Sequence, residues 1–142
     1  MNSFSHYAFG AVGEWIFQSL AGIDSVGPGF QRVLLRAGPP RPGTNPDRAP
    51  IEWVTAEHDS HLGTIESSWR VENGRLRWLV RLPANTSAEV WMPARSAEQI
   101  RESDRPLTEV EGAVFLRQEG ERAVLDVGSG QYRFEVPWPP SN

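Results

Sequence analysis

The chain has 142 residues, enough for one domain with one hydrophobic core and too few for most multidomain enzymes. It contains no Cys, which excludes disulfides and thiolate chemistry, and all 14 of its basic residues are Arg, which excludes Schiff-base and Walker-type lysine chemistry. The net charge of −4 comes from interspersed acids and bases, a pattern that argues against a nucleic-acid-binding surface, and no apolar run is long enough to span a bilayer.

The beginning of the chain has the pattern of one apolar helix. Apolar residues recur at three- and four-residue spacing over residues 4–20, which places them on one helical face, and Gly22 lies just past the predicted end. Aromatic residues also lie on the other faces, at Tyr7, Phe9 and Phe17. A helix that is apolar on several sides needs cover, so we expect it to pack on the rest of the chain or on the same helix of a second copy.

After Gly22 the pattern changes to the alternation that is typical of strands. Residues 24–29 are predicted to form a turn, residues 38–50 an irregular loop with five prolines, and residues 95–106 a loop or one helical turn. The predicted strands cover 30–37, 51–58, 64–71, 76–82, 86–92, 112–118, 122–127 and 130–136. The fold prediction is therefore mainly β, an antiparallel β-sandwich preceded by one N-terminal α-helix.

The sharpest local prediction is a hairpin at Asn73-Gly74, the preferred pair for a two-residue type I′ turn. Counting outward from this turn places Trp69 opposite Trp78. One face then carries apolar residues, namely Ile65, Trp69, Val71, Leu76, Trp78, Val80 and Leu82, together with Ser67. The arginines at positions 70, 75, 77 and 81 lie mostly on the other face, so we expect a half-buried antiparallel pair.

Residues 1–15 resemble the Met-Asn-Ser-Phe-Asn-His-Tyr-Ala-(Tyr/Phe)-Gly and Ala-Val-Gly-Glu-Trp segment of bacterial family-78 glycoside hydrolases, the α-L-rhamnosidases. Ser5 departs from the usual Asn. Later stretches are similar to the family in the same order, at 22–30, 60–69, 82–93 and 127–134. The resemblance covers nearly the whole chain, and its first segment is specific.

In that family an (α/α)6 barrel catalyses hydrolysis with inversion, using one acid and one base, and a β-sandwich follows the barrel. The resemblance implies that residues 1–23 correspond to the last barrel helix and residues 24–142 to a jelly-roll-like C-terminal domain. It carries over one site residue, His6, as a contact to rhamnose. The family's catalytic acids lie upstream of the segment that matches Met1. We therefore expect a truncated gene or an excised domain with no catalytic residue, cofactor or metal of its own, which meets rhamnose-containing glycans only in a full-length context.

Two other functions are compatible with the sequence. Six Trp residues suggest a carbohydrate-binding module, because such modules stack sugar rings on exposed aromatic side chains. Because side chains alternate along a strand, Trp91 should lie on the face opposite Val90 and Met92. The same alternation does not decide on which face Trp53 and Trp138 lie. The other alternative is an interaction domain that self-associates through helix 4–20.

Some polar clusters invite a catalytic or metal-binding interpretation. His58, Asp59 and His61 match no specific ligand spacing, so a solvated loop is the preferred interpretation. Of the 18 acids in the chain, only Glu14 lies in the N-terminal segment, and none of the others lies in a recognisable glycosidase motif. No signal peptide pattern is present, which leaves the cytoplasm as the default expected location.

Overall fold

The computed structural model describes residues 22–26, 31–36, 38, 47 and 51–140. The predicted helix over 4–20, with His6, and most of the Pro-rich loop lie outside the described residues. Within them the chain forms strands β1 (Ile23–Ser25), β2 (Arg32–Leu35), β3 (Trp53–Ser60), β4 (Gly63–Glu72), β5 (Arg75–Leu82), β6 (Ser87–Met92), β7 (Arg101–Glu102), β8 (Arg105–Pro106), β9 (Ala113–Glu119), β10 (Arg122–Val127) and β11 (Gly130–Pro137). Two single-turn 3₁₀ helices, Ala97–Gln99 and Leu107–Glu109, complete the described elements.

The strands form two sheets. The first sheet has the order β1-β2-β6-β10-β9, and the second has the order β3-β4-β5-β11-β7-β8. Neighbouring strands are antiparallel except β2 and β6, which are parallel. The prediction of a mainly β fold is confirmed, and the predicted antiparallel pairing holds for every described strand pair except β2–β6. No helix within the described ranges is long and apolar enough to cross a membrane.

Three local predictions need correction. Part of the predicted turn at 24–29 is strand, because Ile23–Ser25 pairs with β2 and places Ile23 opposite Leu35 in the core. Strands β2 and β6 pair in parallel, whereas the sequence predicts antiparallel pairing. Between them the chain forms β3, β4 and β5 of the second sheet, and this long crossover connection allows a parallel pair, which a short hairpin turn does not. The segment 95–106 contains, besides one helical turn, the short antiparallel pair β7–β8.

Both sheets bury their inner faces in one shared hydrophobic cluster. The first sheet contributes Ile23, Val33, Leu35, Ala88, Val90, Met92, Ala123, Leu125 and Val127. The second sheet contributes Ile65, Trp69, Leu76, Trp78, Val80, Leu82, Tyr132, Phe134 and Val136. Side chains alternate between the two faces of a strand, so this cluster leaves every other residue of β3, β4, β5 and β11 on an outer face.

The β4–β5 hairpin has the predicted register. Asn73 and Gly74 both have positive φ, 53° and 73°, as a type I′ turn requires. Trp69 and Trp78 are direct cross-strand partners with exposed fractions of 2% and 1%. The Trp78 indole N–H donates to the Ser67 hydroxyl over 2.9 Å, which satisfies the one polar atom that this ring brings into the core.

Candidate functional site

The outer face of the second sheet carries a row of large polar and aromatic side chains. Trp53 pairs with Arg70, Arg70 with Arg77, and Arg77 with Glu135, so one residue from each of β3, β4, β5 and β11 lies side by side. Adjacent strands are about 4.8 Å apart, which makes this row about 14 Å long. The row forms because β11, the last strand in the chain, pairs with β5.

A second row runs beside the first and contains smaller side chains. Thr55, Ser68, Leu79 and Arg133 are successive partners across the same four strands. Together with the turn at Ser103–Asp104, the two rows enclose an open concavity of about 570 Å³. We call this concavity the outer groove; its large side chains are Trp53, Arg70, Arg77, Arg133 and Glu135.

Trp53 is the most exposed indole in the described part of the chain, with 62% of its surface accessible. Its ring makes no hydrogen bond or ring contact to any described residue. Trp138, which was also undecided from the sequence, packs partly buried against the core instead. The outer groove therefore presents one flat aromatic surface to a ligand.

The charges of the outer groove divide into a paired and an unpaired set. Glu135 accepts hydrogen bonds from Arg75 over 2.6 Å and from Arg77 over 3.1 Å, one on each carboxylate oxygen. Arg70 and Arg133, by contrast, have no carboxylate partner for their guanidinium groups among the residues that the structure describes. The groove thus retains two exposed cationic side chains that are not neutralised by a described carboxylate.

A buried carboxylate fixes the backbone beneath one of these cations. Glu102 accepts hydrogen bonds from the Ser103 hydroxyl over 2.7 Å, from the Arg133 backbone N–H over 3.2 Å and from Arg105 over 3.2 Å. Burial by itself raises the pKa of Glu102, but these hydrogen bonds outweigh it and hold the pKa below the ordinary 4.5. Ser103 N–H also donates to the Arg133 carbonyl over 3.0 Å, so Arg133 is held on both sides.

The outer face of the first sheet also carries a tryptophan, but there the ring is already covered. The Arg36 guanidinium lies 4.2 Å from the Trp91 ring centre and that of Arg117 lies 5.7 Å away. The Trp91 N–H donates to Glu89, which also binds Arg117 over 2.7 Å. The predicted outward orientation of Trp91 is confirmed, and its surroundings are those of a surface ion-pair network.

The structure separates the residues of the suggested metal cluster. His58 and Asp59 belong to β3 and not to a loop, and their side chains alternate between the half-buried inner side and the exposed outer side. Asp59 accepts a hydrogen bond from Thr64 over 2.9 Å, while His61 lies in the turn that follows. The described residues contain no group of three His, Cys, Asp or Glu that could hold a metal ion.

The sequence reasoning did not find the outer groove. The alternation of side chains places the arginines of β4 and β5 on the outer face, but Arg133 and Glu135 join them only because β5 pairs with β11, which links residues 54 and 58 positions apart. The available signal was the alternation of Arg133 and Glu135 with the buried Tyr132, Phe134 and Val136.

Comparisons with known proteins agree on one family. The family described as bacterial alpha-L-rhamnosidase C-terminal domain matches residues 22–105. The alpha-L-rhamnosidase of Streptomyces avermitilis is 35% identical over 136 residues, covering 96% of this chain and 12% of that protein. That of Formosa agariphila is 27% identical over 138 residues, covering 97% and 14%. The chain thus spans about one eighth of the length of these relatives.

Solved structures give the same result. The crystal structure of the Streptomyces avermitilis alpha-L-rhamnosidase complexed with L-rhamnose superposes with a TM-score of 0.73 at 34% identity, covering 96% of this chain and 12% of that one. The alpha-L-rhamnosidase from Dictyoglumus thermophilum superposes with a TM-score of 0.72 at 22% identity, covering 91% and 14%. The second likeness shows the fold alone.

Proposed function

The chain belongs to the family of bacterial α-L-rhamnosidase C-terminal domains, and from this premise we propose that it is the accessory β-domain of such a glycoside hydrolase and does not hydrolyse glycosides itself. The parent activity is the removal of α-L-rhamnosyl groups from rhamnose-containing glycans. Support comes from the relatives, whose names state this activity and whose chains extend far beyond the matched part.

The observation that carries the proposal is the state of the carboxylates in and beside the outer groove. Glycoside hydrolysis uses two carboxyl groups, one of which must be free to donate a proton while the other activates water or attacks the sugar. Glu135 has both oxygens bound by Arg75 and Arg77, and Glu102 is buried with its oxygens occupied by Ser103, Arg105 and the backbone. These are the contacts of structural ion pairs, and the one carboxylate that remains in the groove, Asp104, cannot by itself supply both the acid and the base.

An accessory domain needs a surface that contacts the rest of the enzyme, and strand β9 offers one. Val114, Phe115 and Leu116 are 60%, 40% and 45% exposed on this edge strand, which pairs with β10 alone. Leu116 is the extra residue of a β-bulge, since Leu125 pairs with Phe115 and Val124 with Arg117. In our proposal the longer polypeptide of the parent enzyme covers this apolar edge, which would otherwise favour aggregation.

The family resemblance supplies the finer architecture of the proposal. In our proposal the two sheets form a jelly-roll-like sandwich that begins at Ile23, one residue before the boundary expected from the sequence, and the residues before it supply the last helix of the catalytic barrel. His6 then contacts rhamnose in the assembled enzyme. Both the helix and His6 lie outside the described residues, so they rest on the sequence motif.

Glu135→Gln tests the structural assignment of the groove carboxylate. We expect a loss of stability of about 1 kcal/mol or less, because the pair is partly exposed. We also expect no change in the release of phenol from an aryl α-L-rhamnoside, which stays at background for both proteins. A rhamnosidase activity of the unaltered chain that Glu135→Gln abolishes would overturn the proposal.

A further inference from the structure

The outer groove combines three features that no other described surface of the domain combines. It is concave, it exposes the flat face of Trp53, and it holds the unpaired guanidinium groups of Arg70 and Arg133. Trp91 on the opposite sheet shows the contrast, because Arg36 and Arg117 already occupy the space beside its ring.

We propose that the outer groove binds an acidic oligosaccharide, with one pyranose ring stacked on Trp53 and sugar carboxylates bound by Arg70 and Arg133. The apolar face of a sugar ring packs well on an exposed indole, and a guanidinium binds a carboxylate through two parallel hydrogen bonds. The inference does not depend on the accessory role, since it uses only side chains of the second sheet.

The arrangement of the residues indicates how the saccharide would lie. Trp53 and Arg70 are direct cross-strand partners, so a ring stacked on Trp53 has its carboxylate within reach of Arg70. Arg133 lies three strands from Trp53, about 14 Å away across the sheet. That separation is longer than one sugar unit, so Arg133 binds the carboxylate of a sugar farther along the same oligosaccharide. The hydroxyls of Thr55 and Ser68 lie in the second row, the row of Arg133, on the same two strands as Trp53 and Arg70, and can bond to sugar hydroxyls.

The charge pattern favours a carboxylate-bearing sugar over a nucleic acid. The groove carries Asp104 and Glu135 beside its arginines, and the whole chain has a net charge of −4. A polyanion with one phosphate per nucleotide needs a continuous basic surface, which this groove lacks. An oligosaccharide whose carboxylates are separated by whole sugar units matches the two separated guanidinium groups of Arg70 and Arg133.

The test is a calorimetric titration of the full 142-residue chain with tetragalacturonate, and with its fully methyl-esterified form as the neutral counterpart. We expect saturable binding of the acid that weakens as salt is added, and at least about tenfold weaker binding of the ester. Trp53→Ala, Arg70→Gln and Arg133→Gln should each weaken binding of the acid about tenfold or more. Arg70→Gln should also remove most of the preference for the acid over the ester.

Two control variants distinguish the loss of a side chain in the groove from the loss of an exposed aromatic ring or arginine elsewhere on the domain. Phe115→Ala removes an exposed aromatic ring from the other sheet, and Arg95→Gln removes an exposed cation outside the groove, so both should bind tetragalacturonate as the unaltered chain does. Thermal unfolding of each variant verifies that it is folded. Absence of binding, equal binding of acid and ester, or unchanged binding by Trp53→Ala would overturn the inference. So would displacement of the saccharide by an equimolar single-stranded oligothymidylate.

Discussion

Trp69 and Trp78 face each other across β4 and β5, and both rings lie within the cluster that the two sheets share. Replacing either by Ala should lower the free energy of unfolding by about 3–5 kcal/mol, because the substitution leaves a large cavity between packed sheets. Urea titration of each variant measures this loss. The matched control is Trp53→Ala, whose ring is exposed, and its effect should stay within about 0.5 kcal/mol. A loss below about 1 kcal/mol at Trp69 would contradict the described core.

Gly74→Ala should destabilise the domain by about 1 kcal/mol, because its φ of 73° is unfavourable for a residue with a Cβ. Space is not the reason, since the nearest atom to an added Cβ is the Trp138 carbonyl oxygen at 4.0 Å. Gly128→Ala is the control, with similar room around the Cβ and no positive φ, and it should be neutral or slightly stabilising. Equal effects of the two substitutions in thermal unfolding would argue against the type I′ turn.

The pH dependence of stability should report on Glu102. Its pKa is lower in the folded chain than in the unfolded chain, so the unfolded chain binds more protons in acid. The stabilisation is therefore present above the unfolded pKa near 4.5 and is lost as the pH falls through the folded value. Urea titrations between pH 7 and pH 3 should show a steeper loss for the unaltered chain than for Glu102→Gln. Parallel pH profiles would show that the contacts of Glu102 with Ser103, Arg105 and Arg133 do not hold in solution.

The sequence also predicts that residues 4–20 associate with the same segment of a second chain, through an apolar helix that needs cover. Light scattering should give an oligomer for the intact chain and a monomer for a chain that starts at Gly22, which lacks the helix but keeps Ile23 of β1 in the core. Phe115→Ser, which makes the exposed edge of β9 polar, should leave the oligomer intact. A strictly monomeric intact chain at high concentration, or an oligomer that Phe115→Ser dissociates, would refute association through the helix.

Local sequence signals predicted the parts of the fold that depend on neighbouring residues. Asn73-Gly74 determines the β4–β5 turn and hence the pairing of Trp69 with Trp78, and both follow from counting. The alternation of side chains locates all eight predicted strands within two residues of their observed bounds. The outward orientation of Trp91 follows from its position between Val90 and Met92, because neighbouring side chains of a strand point to opposite faces.

Non-local pairing explains what the sequence did not predict. Ile23–Ser25 is short and has a strand partner only because β2 returns beside it, so its composition resembled that of a turn. The parallel pairing of β2 with β6 and the pairing of β5 with β11 depend on the order of strands in the finished sheets. The outer groove follows from the second of these pairings, which brings Arg133 and Glu135 beside Arg77.

The central claim, that this domain is accessory and not catalytic, is tested most directly by measuring the turnover of an aryl α-L-rhamnoside by the purified 142-residue chain. The full-length Streptomyces avermitilis relative, assayed in parallel at equal molar concentration, shows that the assay detects rhamnosidase activity. We predict that the chain releases no more phenol than a buffer blank, while the relative gives clear turnover. Turnover by the chain that disappears on substitution of one of its own Asp or Glu residues would contradict the claim.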